Sequence, residues 1–134
     1  MKYLVFVLIV FLNLSCAKDD NGRIPNVYLT YRISLQEFQI KSTNGILLVS
    51  NKGVAGLIIY KKANGEYVAY DRCSSVNPEQ KCAVETDNGG LTVTDPCSGA
   101  KFSLDDGAPV KAPAKRSLKQ YQVYVTTFEL SVTN

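Results

Sequence analysis

Residues 95–107 read Asp-Pro-Cys-Ser-Gly-Ala-Lys-Phe-Ser-Leu-Asp-Asp-Gly, and they carry the most specific pattern in the chain. Residues 96–102 match the pattern Pro-Cys-x-Gly-x-x-Phe, and the pair Asp106-Gly107 follows shortly after it. The Asp105-Asp106-Gly107 end lacks the longer acidic pattern of a calcium-binding loop. We therefore predict a turn there and no metal site.

Two further segments accompany this pattern. Residues 71–75 read Asp-Arg-Cys-Ser-Ser and lie at the end of a predicted strand. Residues 112–121 read Ala-Pro-Ala-Lys-Arg-Ser-Leu-Lys-Gln-Tyr and form a proline-containing segment. The three segments follow one another in the second half of the chain.

Their order and residue types resemble those of a Rieske iron–sulfur domain. Rieske proteins carry two loops, with the patterns C-x-H and C-x-x-H, which hold a [2Fe–2S] cluster through two Cys and two His. The resemblance covers about half of the mature chain. It implies an all-β fold, a small sandwich or barrel in which a disulfide clips the two loops together.

The same resemblance implies that the cluster ligands have been lost. Cys73 stands where the first ligand Cys would be, and Ser75 stands in place of the first His. Asp95 replaces the second ligand Cys, and Ser98 replaces the second His. Ser and Asp do not substitute for thiolate and imidazole at ordinary affinity. We therefore expect a degenerate member of the family, with vestigial cluster positions and no cofactor.

The resemblance also implies a disulfide between the loops. Cys97 matches the disulfide Cys of the second loop, and Cys82 lies late in the first loop, where its partner should be. An exported protein meets oxidising conditions, which favour pairing. The pair Cys82–Cys97 leaves Cys73 unpaired. The rival pair Cys73–Cys97 stays open, because sequence alone does not determine connectivity.

The N-terminus is typical of a lipoprotein export signal. After Lys2, an apolar run at 4–12 is too short to span a bilayer. It leads to Leu14-Ser15-Cys16, which resembles a lipobox. We predict a signal peptide at 1–15, a lipidated Cys16 with a flexible tether over 16–26, and the β domain over 27–134. The alternative is an ordinary signal peptide with a cysteine nearby by chance.

The residues after Cys16 bear on location. Lys18, Asp19 and Asp20 resemble a signal that sends lipoproteins to the outer face of the outer membrane in some Gram-negative lineages. The competing interpretation is a solvated tether. In either case we expect export and a lipid anchor in the outer membrane.

The mature chain has the alternating pattern of β-strands. Period-two runs and turn residues favour a sandwich or barrel of many short strands. Residues 35–40 fit either a loop or a short turn of helix. The predicted strands lie at 27–33, 46–49, 54–60, 66–71, 91–94, 121–126 and 128–133.

Composition removes several function classes. The chain has no His, which excludes Ser–His–Asp triads, Cys–His pairs and the usual zinc hydrolase sites. A net charge of +3 is too small to indicate nucleic-acid binding. A basic run in the proline-containing segment fits either an anion or lipid-headgroup contact or a solvated loop: Lys111, Lys115, Arg116 and Lys119.

These observations favour a non-catalytic accessory or binding module, with a protein partner at the cell envelope. The alternative is an electron-transfer protein that uses a cluster or the thiol of Cys73. Arg72 would favour a reactive thiolate there, and Asp71 would oppose it. A third hypothesis, glycan capture at the surface, depends on the 8 tyrosines of the chain.

Overall fold

The computed structural model describes residues 23–134. The predicted signal peptide, the lipidation site Cys16 and the segment 18–20 lie outside the described residues. Within the part that is described, no helix is both long enough and apolar enough to cross a membrane.

The described chain is mostly β-structure, as predicted. The elements are β1 (Thr30–Ser34), α1 (Leu35–Lys41), β2 (Ile46–Val49), β3 (Leu57–Lys61), β4 (Tyr67–Asp71), a 3₁₀ turn (Pro78–Gln80), β5 (Glu85–Thr86), β6 (Thr92–Thr94), β7 (Lys101–Ser103), β8 (Pro109–Lys111), β9 (Gln120–Val125) and β10 (Glu129–Thr133). All neighbouring strands pair antiparallel, in a six-stranded sheet of order β1-β10-β9-β4-β3-β2 and a four-stranded sheet of order β5-β6-β7-β8.

The segment that sequence left open between loop and helix is the helix α1. Ser34 caps it, since its hydroxyl accepts a hydrogen bond from the Glu37 amide at 3.1 Å. Phe38 is its buried residue, and its ring meets Tyr67 edge to face with centroids 5.2 Å apart. A single buried aromatic residue therefore anchors this short helix.

The alternation of strand β3 divides the interior into two cores. Ile58 and Tyr60 face a core shared with Val93 and Phe102 of the four-stranded sheet. Leu57 and Ile59 face the opposite side, where Phe38 and residues of β1, β9 and β10 pack. Strand β3 is thus buried on both faces, which explains why its sequence is apolar throughout.

The four-stranded sheet is where sequence and structure differ most. Strands β5, β7 and β8 were not predicted, and β6 begins one residue later than expected. They contain two or three residues each, which is too short to show a period of two. The predicted turn after β7 is confirmed at residues 104–106.

Candidate functional site

The site lies where two loops meet at the end of the four-stranded sheet. We call residues 72–84, between β4 and β5, loop one, and residues 95–100, between β6 and β7, loop two. Cys82 and Cys97 form a disulfide between them, with Cα atoms 6.3 Å apart. The predicted pairing is therefore confirmed, the rival Cys73–Cys97 pairing is wrong, and Cys73 is a free, buried thiol.

The buried carboxylate of Asp95 is a second link between the loops. Its Oδ2 accepts hydrogen bonds from Ser74 Oγ in loop one at 2.7 Å and from Ser98 Oγ in loop two at 2.6 Å. Its Oδ1 accepts the amide of Cys97 at 2.8 Å. Burial acts to raise the pKa of this carboxyl, but the hydroxyl and amide donors outweigh it and lower the pKa. Asp95 is thus an ionised acceptor held by neutral donors.

Cys73 is fully buried in loop one. Its thiol donates to the carbonyl of Pro78 at 3.5 Å, and its amide donates to Asp71 Oδ1 at 2.8 Å. Burial, and next the charge of Asp71, raise the pKa of the thiol to about 11. Arg72 does not counter this effect, and its guanidinium donates to the Val84 carbonyl at 3.2 Å.

Ser75 ties loop one to the proline-containing segment. Its hydroxyl donates to the carbonyl of Arg116 at 2.7 Å. The structure therefore brings all four predicted positions to one end of the domain, but only Asp95 and Ser98 bond to each other. Ser74, which contacts Asp95, was missed, because nothing in the sequence distinguishes it from Ser75.

A second buried carboxylate, Asp71, lies behind loop one. It accepts the amides of Val54 at 2.6 Å, Ala55 at 3.1 Å and Cys73 at 2.8 Å. It also accepts the hydroxyl of Tyr121 at 2.7 Å. These donors come from three separate parts of the chain, so Asp71 fixes the base of loop one.

The loop residues do not fit a Rieske cluster. Such a cluster needs two thiolates and two imidazoles, whereas the chain has no His and loops one and two offer a single free thiol, turned toward Pro78. The ligand atoms of Cys82, Asp95 and Cys97 lie within 4.8 Å of one another, the one such group among the described residues. Two of these three are joined in the disulfide, and Asp95 is already bonded on both oxygens.

Comparison with known proteins identifies the fold. No family model and no curated protein matches the sequence. The structure is similar to a plasma membrane Rieske protein from Synechocystis PCC 6803, with a TM-score of 0.56, 22% identity, and coverage of 80% of this chain and 98% of that one.

Two further solved structures have the same fold. One is the complex of oxygenase and ferredoxin in carbazole 1,9a-dioxygenase, with a TM-score of 0.55 and 20% identity, covering 78% of this chain and 93% of that chain. The other is a ferredoxin of Sphingomonas yanoikuyae B1, with a TM-score of 0.52 and 16% identity, covering 82% and 99%. The described domain therefore has a Rieske-like fold.

Proposed function

We propose that this chain is an outer-membrane lipoprotein whose Rieske-like domain has lost its [2Fe–2S] site. In this proposal the domain acts as a non-catalytic accessory or binding module for a protein partner at the cell envelope. The observation that carries the loss of the site is Asp95. This residue stands where the second ligand Cys is expected, and its carboxylate is bonded to Ser74 and Ser98. Iron and sulfide content of the purified protein tests this proposal.

The loops have a physical means of staying folded without a metal centre. In a cluster-binding domain the iron ligands would join the two loops. Here the disulfide Cys82–Cys97 and the hydrogen bonds of Asp95 make the same connection. We infer that the two loops have a structural role and form part of the surface of the proposed binding module.

Electron transfer is the second candidate, and the fold alone favours it. The similar solved structures include a protein named as a Rieske protein and one named as a ferredoxin. The donor set opposes a cluster, and the burial of Cys73 opposes a thiol mechanism. Glycan capture has less support, because Tyr60, Tyr70 and Tyr121 are buried in the two cores.

A redox function of Cys73 would require a thiol that reacts readily in the folded protein, whereas its burial predicts slow reaction. At pH 7 the folded protein should react with iodoacetamide more slowly than the unfolded chain, by on the order of 100-fold or more. The reason is that burial shields the Cys73 thiol from the reagent and also raises its pKa to about 11, which lowers the thiolate fraction. Mass spectrometry of protein labelled with and without denaturant measures the ratio. Equal labelling rates would support a reactive thiol.

The same pKa shift predicts the behaviour in alkali. The folded state holds this proton more tightly than the unfolded state, so its contribution to stability is complete below pH 9. That contribution is lost as the pH rises toward 11. The Cys73→Ala variant should therefore lose less stability than the parent between these two pH values. Denaturant unfolding at each pH, with both proteins compared, checks the difference.

Lipid anchoring is tested at Cys16. The Cys16→Ala variant should fail to incorporate a palmitate analogue, and it should either leave the membrane fraction or accumulate as uncleaved precursor. A single acyl chain binds membranes only marginally, so stable retention needs the several chains of a bacterial lipoprotein. Unchanged label and unchanged retention in the variant would contradict the lipoprotein proposal. A Cys73→Ala variant is the matched control.

The location within the envelope has a separate test. If residues 18–20 direct surface export, protease added to intact cells should remove the domain. Replacing Lys18, Asp19 and Asp20 by Ala should then protect it. Protection of the unmutated protein would place the domain on a periplasmic face.

A further inference from the structure

A cleft of about 500 Å³ opens between the start of the described chain and the proline-containing segment. Arg23 and Asn26, near the start of the described chain, line it together with Arg116 and Lys119 of the proline-containing segment. Ser75 also lines it, and the hydrogen bond from its hydroxyl to the Arg116 carbonyl holds the backbone of that segment. The cleft is therefore lined by both partners of a hydrogen bond that joins loop one to the proline-containing segment.

The charge of this cleft is one-sided. Among the described residues that line it, three are cationic and none is Asp or Glu. The ion pairs that the described residues form involve neither Arg23 nor Lys119. The amine of Lys119 donates to the neutral amide oxygen of Asn26 and lies 5.7 Å from the centre of the Tyr121 ring. No carboxylate therefore neutralises that amine within the described chain, and the amine has donors left for an anion.

We propose that the cleft binds the phosphate group of an anionic ligand. Phosphate suits these donors because a guanidinium presents paired N–H groups to its oxygens and a lysine adds a point charge. Arg23 and Lys119 both line the cleft, so in this proposal one phosphate is contacted by both. The cleft is lined by Ser75, which stands in place of the first His, but not by Asp95, whose carboxylate accepts hydrogen bonds from Ser74 and Ser98.

Two sources can supply such a phosphate, a membrane lipid headgroup or a soluble phosphate. The headgroup source rests on the proposed anchor at Cys16. From Cys16 to Arg23 an extended chain spans at most about 25 Å, so an anchored domain keeps the cleft near the bilayer surface. Free phosphate needs no anchor, and the two sources are therefore separable by experiment.

The test uses the full-length chain in a neutral detergent. Amide resonances of Ser75 and Lys119 are followed while inorganic phosphate, or glycerophosphoglycerol as a soluble lipid headgroup, is added against chloride at matched ionic strength. We expect saturable shifts with at least one of the two phosphates and none with chloride. Tighter binding of glycerophosphoglycerol supports the headgroup source, and tighter binding of inorganic phosphate supports the soluble one. Equal shifts with chloride, or none with either phosphate, would overturn the proposal.

Charge-matched variants separate a site from general attraction. Lys119→Gln should weaken phosphate binding about fivefold, as expected for the loss of one partly exposed ionic contact. Lys111→Gln removes the same charge at the end of strand β8, directly before this segment, but Lys111 does not line the cleft, so the variant should change binding less than twofold. Equal weakening by both would overturn the proposal. Arg23→Gln repeats the test if Lys119→Gln perturbs the fold.

The same purified proteins also distinguish failure of the phosphate site from failure of the proposed lipid anchor at Cys16, on which the headgroup source rests. Lipid on Cys16 and iron content are measured on each protein. If the chain is lipidated and iron-free but shows no phosphate response, the phosphate site is wrong and the proposed function stands. If the chain responds to phosphate but carries no lipid on Cys16, the phosphate site stands and the proposed lipid anchor is wrong.

Discussion

Replacing Asp71 by Ala should lower the free energy of unfolding by roughly 3–5 kcal/mol, because each of three amides left without its acceptor costs on the order of 1 kcal/mol or more. The carboxylate is fully buried and accepts four hydrogen bonds, three of them from backbone amides. Alanine leaves those amides without their acceptor and opens a cavity beside Tyr121. Urea unfolding of the purified protein, followed by circular dichroism, measures the loss.

Tyr121→Phe is the matched control for this prediction. It removes one of the four donors and keeps the ring packing, so it should cost only about 1 kcal/mol. If Asp71→Ala cost no more than Tyr121→Phe, the three amides would not depend on the carboxylate. The account of Asp71 as the support of loop one would then be wrong.

Removing the disulfide should have the next largest effect. The Cys82→Ala/Cys97→Ala double variant should lose about 3 kcal/mol, the loop-entropy value for a sequence separation of 15. The double variant avoids leaving an unpaired thiol, which either single variant would. Thermal unfolding of a domain of this size should shift down by on the order of 10–20 °C.

The control for the disulfide is chemical reduction of the unmutated protein. Cys97 is exposed, so a dithiol reductant reaches the bond in the folded state. Reduction should lower stability by the same amount as the double variant and should leave the double variant itself unchanged. A loss below about 1 kcal/mol in both would mean that Asp95 alone holds the loops together.

The sequence was sufficient to locate the long strands, whereas the disulfide was predicted only with a rival pairing left open. Strand β3 and the hairpin to β4 follow from apolar runs on either side of Asn64-Gly65, which is a local signal. Cys82 and Cys97 were paired through the resemblance to Rieske loops. Strands β5, β7 and β8 could not be predicted, because their pairing depends on the neighbouring strands and their own residues carry no period.

The sequence singled out residues of the candidate site but not the hydrogen bonds among them. The resemblance drew attention to Asp95 and Ser98, and the structure shows the Ser98 hydroxyl donating to the Asp95 carboxylate. It did not predict the bond from Ser74, which lies 21 residues from Asp95 in sequence. Asp71 and Tyr121 are 50 residues apart, and only the folded sheet brings them together. Hydrogen bonds between residues so far apart in sequence arise only in the folded domain, and the sequence alone does not predict them.

In the proposed function, this Rieske-like fold is maintained without a cluster. The iron and acid-labile sulfide content of full-length protein, expressed anaerobically in iron-replete cells, tests this proposal. A Rieske ferredoxin made in the same cells and purified in the same way is the positive control. We predict a colourless protein with less than about 0.1 iron per chain, against about two irons and two sulfides in the control. About two irons and two sulfides per chain, with visible charge-transfer absorption, would contradict the account and support electron transfer.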